Sequence, residues 1–349
     1  MKSAHFAGAA ALLFGALPGC GSTPQAVGNV NSIIVITSDS LWRAVGDSLR
    51  TALEQPIFTV REEPTFHVTQ VSPQDPRWAK AREFRHVVVI GGAADGWVAP
   101  VLRRARKRTS NGDRAGRTTG PALVHTRDVW ARNQFATALV LPADGAAAAA
   151  LALAPRAATA TDSVFRAYAR QRMYLSRPDT TLRDSLRRRA GYGILLPNVY
   201  FAVRRTADVQ LFQNTTQIGG DLVRSVLIVA RPGVIEPTAE TALAWRDSVA
   251  RTHYRPAHDT QRAQLRSQRV QSATHAGIEL QGVWQGTDAT WPMAGPFITR
   301  MIPCPAQNRT FLVDSWLYAP APQRGSRYEY IVQLQTILES FQCGSEQTT

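Results

Sequence analysis

His86-Val87-Val88-Val89-Ile90-Gly91-Gly92 is the stretch that decides the first half of the fold. Four consecutive apolar, β-branched residues leave no polar face, as in a strand covered on both sides. The glycine pair turns the chain, and Trp97, Val101 and Leu102 then recur at helical spacing. Upstream, Ser32 to Thr37 is a second β-branched run. Ser38 or Asp39 can cap a helix whose Leu41, Trp42, Val45, Leu49 and Leu53 share one face, and Pro56 ends it. Phe66 to Val71 alternates as a half-buried strand does. Further strands are expected at Ala122 to His125 and Phe135 to Leu141, giving βα units around a mixed sheet.

Downstream the pattern changes. The alanine run Ala146 to Ala150 opens helical segments that reach about Arg189, expected to break near Pro155 and Pro178. Strands follow at Tyr192 to Val203, Val209 to Phe212 and Val223 to Ala230, with Gly219-Gly220 as a hairpin turn. Thr238 to His253 is an amphipathic helix, and Arg255 to Arg269 reads as a loop or short helix. Antiparallel strands at Gly277 to Gln285, Phe297 to Ile302 and Thr310 to Tyr318 precede a last helix, Tyr328 to Phe341. The expectation is α+β: two lobes, each a mostly antiparallel or mixed sheet backed by helices. Residues 32–144 form the N-terminal lobe, 145–190 a helical connector, 191–343 the C-terminal lobe and 344–349 a tail.

The start of the chain carries an address. Met1-Lys2 precedes an apolar run from Phe6 to Leu17 and the tetrapeptide Leu17-Pro18-Gly19-Cys20. A run of about 12 residues is too short to span a bilayer, which needs roughly 20, and suits a cleaved signal peptide over residues 1–19. Cys20 is then the expected lipidation site, bearing diacylglycerol and an amide-linked, palmitate-type chain, with 20–31 as a flexible tether. The protein is expected to be exported and lipid-anchored to the cell envelope. Gly21 gives no acidic retention signal, which suits an outer membrane in a cell that has one.

Export changes the reading of charge and cysteine. The net charge is +14, and Lys80 and Lys107 are the only lysines beyond Lys2. Outside the cytoplasm nucleic acid is excluded as a partner, and anionic lipid, acidic glycan or an envelope protein take its place. Arg103, Arg104, Arg106, Lys107 and Arg108, with Arg114 and Arg117 beyond, form a candidate anionic-surface contact. Cys304 and Cys343 are an even pair in an oxidising compartment and are expected to form a disulfide.

Catalytic signals are weak. There is no Gly-x-Ser-x-Gly elbow and no His-Glu-x-x-His, and His253 and His258 are the closest histidine pair. No catalytic, cofactor-binding or metal-ligating residues are assigned. Gly91-Gly92 reads as a tight turn before it reads as a phosphate cradle. Glu62, Glu63, Glu279 and Asp314 are carboxylates that a hydrolase of glycan or peptide could pair. Trp284, Trp291, Met293, Phe297, Asp314, Trp316 and Tyr318 form a candidate ligand groove, with packing of the C-terminal core as the competing reading.

Glu279-Leu280-Gln281-Gly282-Val283-Trp284, Trp291-Pro292-Met293-Ala294-Gly295-Pro296-Phe297, Tyr318-Ala319-Pro320 and Gln333 to Leu338 carry a resemblance. They look like an uncharacterised bacterial lipoprotein family, the domain of unknown function 4837, with Gln281 where arginine is expected. Trp42, Val45-Gly46-Asp47, Glu63 to Phe66, Trp130-Ala131 and Gln134 extend the resemblance over nearly the whole mature chain. It implies export and lipid attachment and brings no activity with it. The C-terminal half also loosely resembles PsbP-like and Mog-like α/β/α sandwiches. Together these readings point to a non-enzymatic envelope binding or assembly protein, with an envelope hydrolase as the alternative.

Overall fold

The computed structural model describes residues 23–108, 120–216, 221–271, 276–290, 292–320 and 326–344. Cys20, Arg114, Arg117, Gly219-Gly220 and Trp291 lie outside them. The fold is an α+β mix in two sheet-rich regions.

The first region is ordered β1 (Ser32–Ile36), α1 (Asp39–Leu53), β2 (Pro56–Ile57), β3 (Glu63–Pro64), β4 (His67–Val71), α2 (Trp78–Ala81) and β5 (His86–Gly91). It continues through α3 (Ala99–Arg108), β6 (Ala122–Arg127) and β7 (Phe135–Val140). Its sheet runs β4-β1-β5-β7-β6, parallel except where β6 meets β7. Ser38 caps α1 by accepting from Leu41 N–H. All six residues of β5 are buried, because α1 covers one face of the sheet and α3 the other. Gly91 cannot carry a side chain: a Cβ there would stand 2.3 Å from Asp95 Oδ2, which accepts from Gly92 N–H at 2.8 Å. The glycine pair is thus a turn closed by the chain's own carboxylate.

Two helices follow, α4 (Ala146–Met173) and α5 (Thr180–Ala190). α4 runs straight through Pro155, where a break was expected. Leu151 loses the donor for its carbonyl but is exposed, so water can replace it. The buried stripe Ala149, Ala150, Leu153, Ala154, Ala157, Phe165 and Ala169 offsets the remaining cost. The other expected break, near Pro178, is present: Arg177 has φ of 69° between α4 and α5.

The second region comprises β8 (Tyr192–Gly193), β9 (Phe201–Arg205), β10 (Val209–Thr216), β11 (Leu222–Pro232) and α6 (Ala239–His253). Next come β12 (His258–Thr260), β13 (Arg266–Gln271), β14 (Ala276–Gly286), β15 (Ala294–Cys304), β16 (Arg309–Tyr318), α7 (Arg327–Glu339) and β17 (Gln342–Cys343). Its main sheet is antiparallel, β14-β15-β16-β11-β10-β9, with β12 and β13 along the outer edge of β14. The segment expected as a loop at Arg255 to Arg269 therefore supplies edge strands. Their side chains are mostly exposed and polar, so no apolar alternation marked them. The strand expected from Tyr192 to Val203 is divided into β8 and β9 by a turn at Asn198-Val199.

α6 backs one face of this sheet, and α4 and α7 back the other. One apolar cluster accordingly runs from Val35 and Val88 in the first sheet, through α1, α4 and α7, to Val226, Ile298 and Val313 in the second. Phe165 of α4 sits at the middle, 5.4 Å from Phe66 and stacked 5.0 Å from Tyr328 between ring centroids. β17 pairs with β8, and Cys304 and Cys343 face each other at disulfide distance, Cα to Cα 5.8 Å.

Candidate functional site

A cavity of about 600 Å³ opens where the two regions meet. Leu53 and Ile57, Phe66, and Ile331 of α7 form its apolar walls. Asp162 and Arg166 project from α4, Tyr328 and Gln335 from α7, and the paired Arg266 and Gln281 from β13 and β14. No single element could make this site; α4 and α7 supply the floor on which the others converge.

The polar groups are mutually satisfied. Asp162 accepts from the Tyr328 hydroxyl at one oxygen and from Arg166 Nε, 2.7 Å, at the other. Arg166 also donates to Gln335 Oε1 at 2.9 Å. Burial, followed by the Asp162 hydrogen bond, pushes the Tyr328 phenol far above its ordinary range. It stays a neutral donor. Arg266 lies over the Phe58 ring at 4.8 Å. Gln281 donates to Glu279 at 2.7 Å, and Glu279 also receives Arg300 Nε at 2.7 Å and Gln268 at 2.9 Å.

The carboxylates singled out from sequence are locked in the same manner. Asp314 is fully buried under α6, with Arg246 Nε at 3.3 Å and the Tyr254 hydroxyl at 2.6 Å, and Thr299 donates to it as well. Arg246 in turn lies 3.5 Å from the Phe297 ring centroid. Burial and then Asp314 raise the Tyr254 phenol. Glu63 pairs with Arg327 outside the large cavity, and Glu62 is exposed. A carboxylate whose oxygens are taken up by arginine and hydroxyl donors is not free to approach substrate.

The described members of the aromatic set pack as core, the competing reading of that set. Trp284, Phe297, Trp316 and Tyr318 are buried in the cluster beneath α6, Met293 packs against it, and Trp284 stacks on His258 at 3.8 Å. Only Tyr318 among these also lines a smaller cleft, with Arg327 and Glu63. Burial, then Arg246, depresses His258 to about 2, while His253 contacts Arg204 at 2.8 Å. No cluster of three His, Cys, Asp or Glu suited to a metal occurs among the described residues. Sequence reasoning did not single out the cavity residues Asp162, Arg166 and Arg266; Gln281 and Gln335 entered it only through the resemblance.

On the basic side, Arg103, Arg104 and Lys107 line a separate cleft of about 480 Å³ with Arg132. Arg108 pairs with Asp128 at 3.6 Å, and Arg106 is exposed at the end of α3.

The fold and cavity define a two-sheet α+β protein with a shared helical layer. Residues 179–340 match the domain of unknown function DUF4837, and residues 26–157 match a second, DUF8532. Each match spans less than half of the chain and is a similarity to a domain of unknown function; the first covers the C-terminal part alone, so the resemblance to DUF4837 expected over nearly the whole chain is cut back to that part. Trp42, Trp130 and Gln134 fall within the second match. Among solved structures, the Ran-binding protein Mog1p of Saccharomyces cerevisiae is 9% identical with a TM-score of 0.31. That alignment covers 44% of this chain and 91% of Mog1p. Human StAR-related lipid transfer protein 5 is 13% identical with a TM-score of 0.16, covering 50% of this chain and 98% of that one. Likenesses this low carry no argument. No curated protein matches the chain.

Proposed function

We propose that this is a lipid-anchored envelope protein that binds a small amphipathic molecule in the cavity between its two sheet-rich regions and performs no chemistry on it. The observation that carries this reading is the cavity itself: about 600 Å³, a volume suited to a ligand, with apolar walls and a few fixed polar groups. Asp162 is consumed by Arg166 and Tyr328, so the acid that lines it is not poised as a general base. Arg166 and Arg266 against Asp162 leave the lining with an excess of positive charge, which favours a ligand bearing one anionic group. The anchor is read from Leu17 to Cys20, and no described helix is long and apolar enough to cross a membrane.

Native mass spectrometry of protein extracted from membranes tests the reading. A bound small molecule is expected on the wild type and absent from Ala158→Trp, which fills the cavity from α4. Identical spectra for both proteins, at equal circular dichroism, would overturn it. Cys20→Ala should leave the membrane fraction, which checks the anchor separately.

A further inference from the structure

The segment expected as a flexible tether is largely fixed. Arg132 N–H donates to Pro24 O at 2.8 Å, and Ala26 N–H donates to Arg132 O at 2.9 Å. Val27 N–H donates to Glu83 O at 3.1 Å and its carbonyl accepts from Arg85 N–H at 3.0 Å. Ala26 is buried beneath these pairings. Thr23 is the described residue nearest Cys20, three positions away. Three residues span at most about 11 Å when fully extended.

Thr23 lies on the rim of the basic cleft formed by Arg103, Arg104, Lys107 and Arg132. Arg104 Nε is held there by Arg127 O at 3.2 Å. Asp128, the carboxylate of the lining, is already matched by Arg108. A basic last turn on α3 complements the helix dipole, which accounts for Arg106, Lys107 and Arg108. That account does not reach Arg132, which comes from the turn before β7, nor Arg103 and Arg104 further back on α3. Two separate elements converge cations on the point where the chain turns toward the anchor.

We propose that this face docks on the headgroups of anionic phospholipid, so that the anchored protein is held against the membrane in one orientation. The geometry rests on the anchored reading above. The charge complementarity does not: the cluster is basic whether or not Cys20 is acylated. The third observation is reach, since about 11 Å of chain cannot carry this face more than a Debye length or so from the bilayer. The cleft is lined from α3, on one face of the first sheet, whereas the cavity is lined from α1 and α4, which cover the other face.

The lysine content provides the test. Lys107 is in the cleft, and Lys80, held by Glu83 at 2.9 Å, lies outside it; the only other lysine, Lys2, is in the signal peptide. The membrane-extracted protein is reconstituted into vesicles of phosphatidylcholine alone or with 30 mol% phosphatidylglycerol. Amine acylation with a water-soluble reagent then compares Lys107 with Lys80 as internal reference. Docking lowers the Lys107 to Lys80 labelling ratio by about ten-fold in the anionic vesicles alone, and 0.5 M NaCl restores it. Arg103→Gln with Arg132→Gln removes most of that difference, because each cation changes the docking equilibrium about five-fold. The same ratio in both vesicle types overturns the proposal, and so does a loss of labelling that salt and the double variant leave unchanged. The intact mass of the same sample reads acylation independently. A protein without acyl mass sinks the anchor, while its labelling in anionic vesicles still decides the docking face.

Discussion

The two sheets bury their interiors in different ways. The five-stranded, mainly parallel sheet keeps charge out: β5 and β7 are wholly covered, and their buried polar side chains are His86 and Thr137. The antiparallel sheet instead buries charge on both faces, Arg246 with Asp314 under α6 and Arg300 with Glu279 on the other side. A buried ion pair replaces the hydration of both ions only when every remaining donor and acceptor is also met. Tyr254, Thr299 and Thr260 supply partners for the first pair, although Arg246 Nη2 finds none among the described residues, and Gln268 and Gln281 supply them for the second. One sheet is stabilised by apolar burial that tolerates small changes, the other by networks that fail as units.

The sharpest way to break that contrast is to remove one member of a pair. Asp314→Ala leaves Arg246 buried and uncompensated, and is expected to cost about 3 to 5 kcal/mol in urea unfolding. Ile90→Val in the first sheet should cost only about 0.5 to 1.5 kcal/mol. Equal losses would abolish the distinction.

Acid offers a comparison one step smaller, because each region buries one histidine. Burial, then Arg85, depresses His86 to about 4; burial, then Arg246, takes His258 to about 2. Both are held neutral in the folded chain, so the unfolded chain, with its ordinary value near 6.5, takes up protons first. Their contribution is complete above pH 6.5 and declines as pH falls, by about 1.4 kcal/mol per pH unit for each histidine. Denaturation at pH 7 and pH 5 should show this fall, and His258→Phe should make it shallower. A flat profile would mean that neither ring resists protonation.

The smallest effect is a control in which the two regions should agree. Ser38 caps α1 and Thr238 caps α6, each accepting from a backbone N–H in the first turn. Alanine at either position should cost about 1 kcal/mol by thermal or urea unfolding. Unequal values would indicate that the sheet behind the helix, rather than the cap, sets the loss.

What could be read in advance follows the same division. Val87 to Ile90 and the strands around it announced themselves, since a strand covered on both faces is an apolar run. The helices α1, α6 and α7 were legible from capping residues and periodicity. β13 was not, because Arg266 to Gln271 sits on an open edge and carries no alternation. The cavity was invisible for a different reason: Phe66, Asp162, Arg266 and Tyr328 are far apart in sequence and meet only through tertiary packing. The aromatic residues left two readings open because density of tryptophan near β14 to β16 signals a large core as readily as a binding surface.

α4 has one further consequence. Its buried stripe serves both sheets at once, with Ala150 and Leu153 in the same cluster as Val88, and Phe165 touching Tyr328. Neither half can be cut away without uncovering that stripe, so the two matched domains form one cooperative unit with a single melting transition. Two matches along the sequence need not mean two folding units: at α4 the halves share one buried surface.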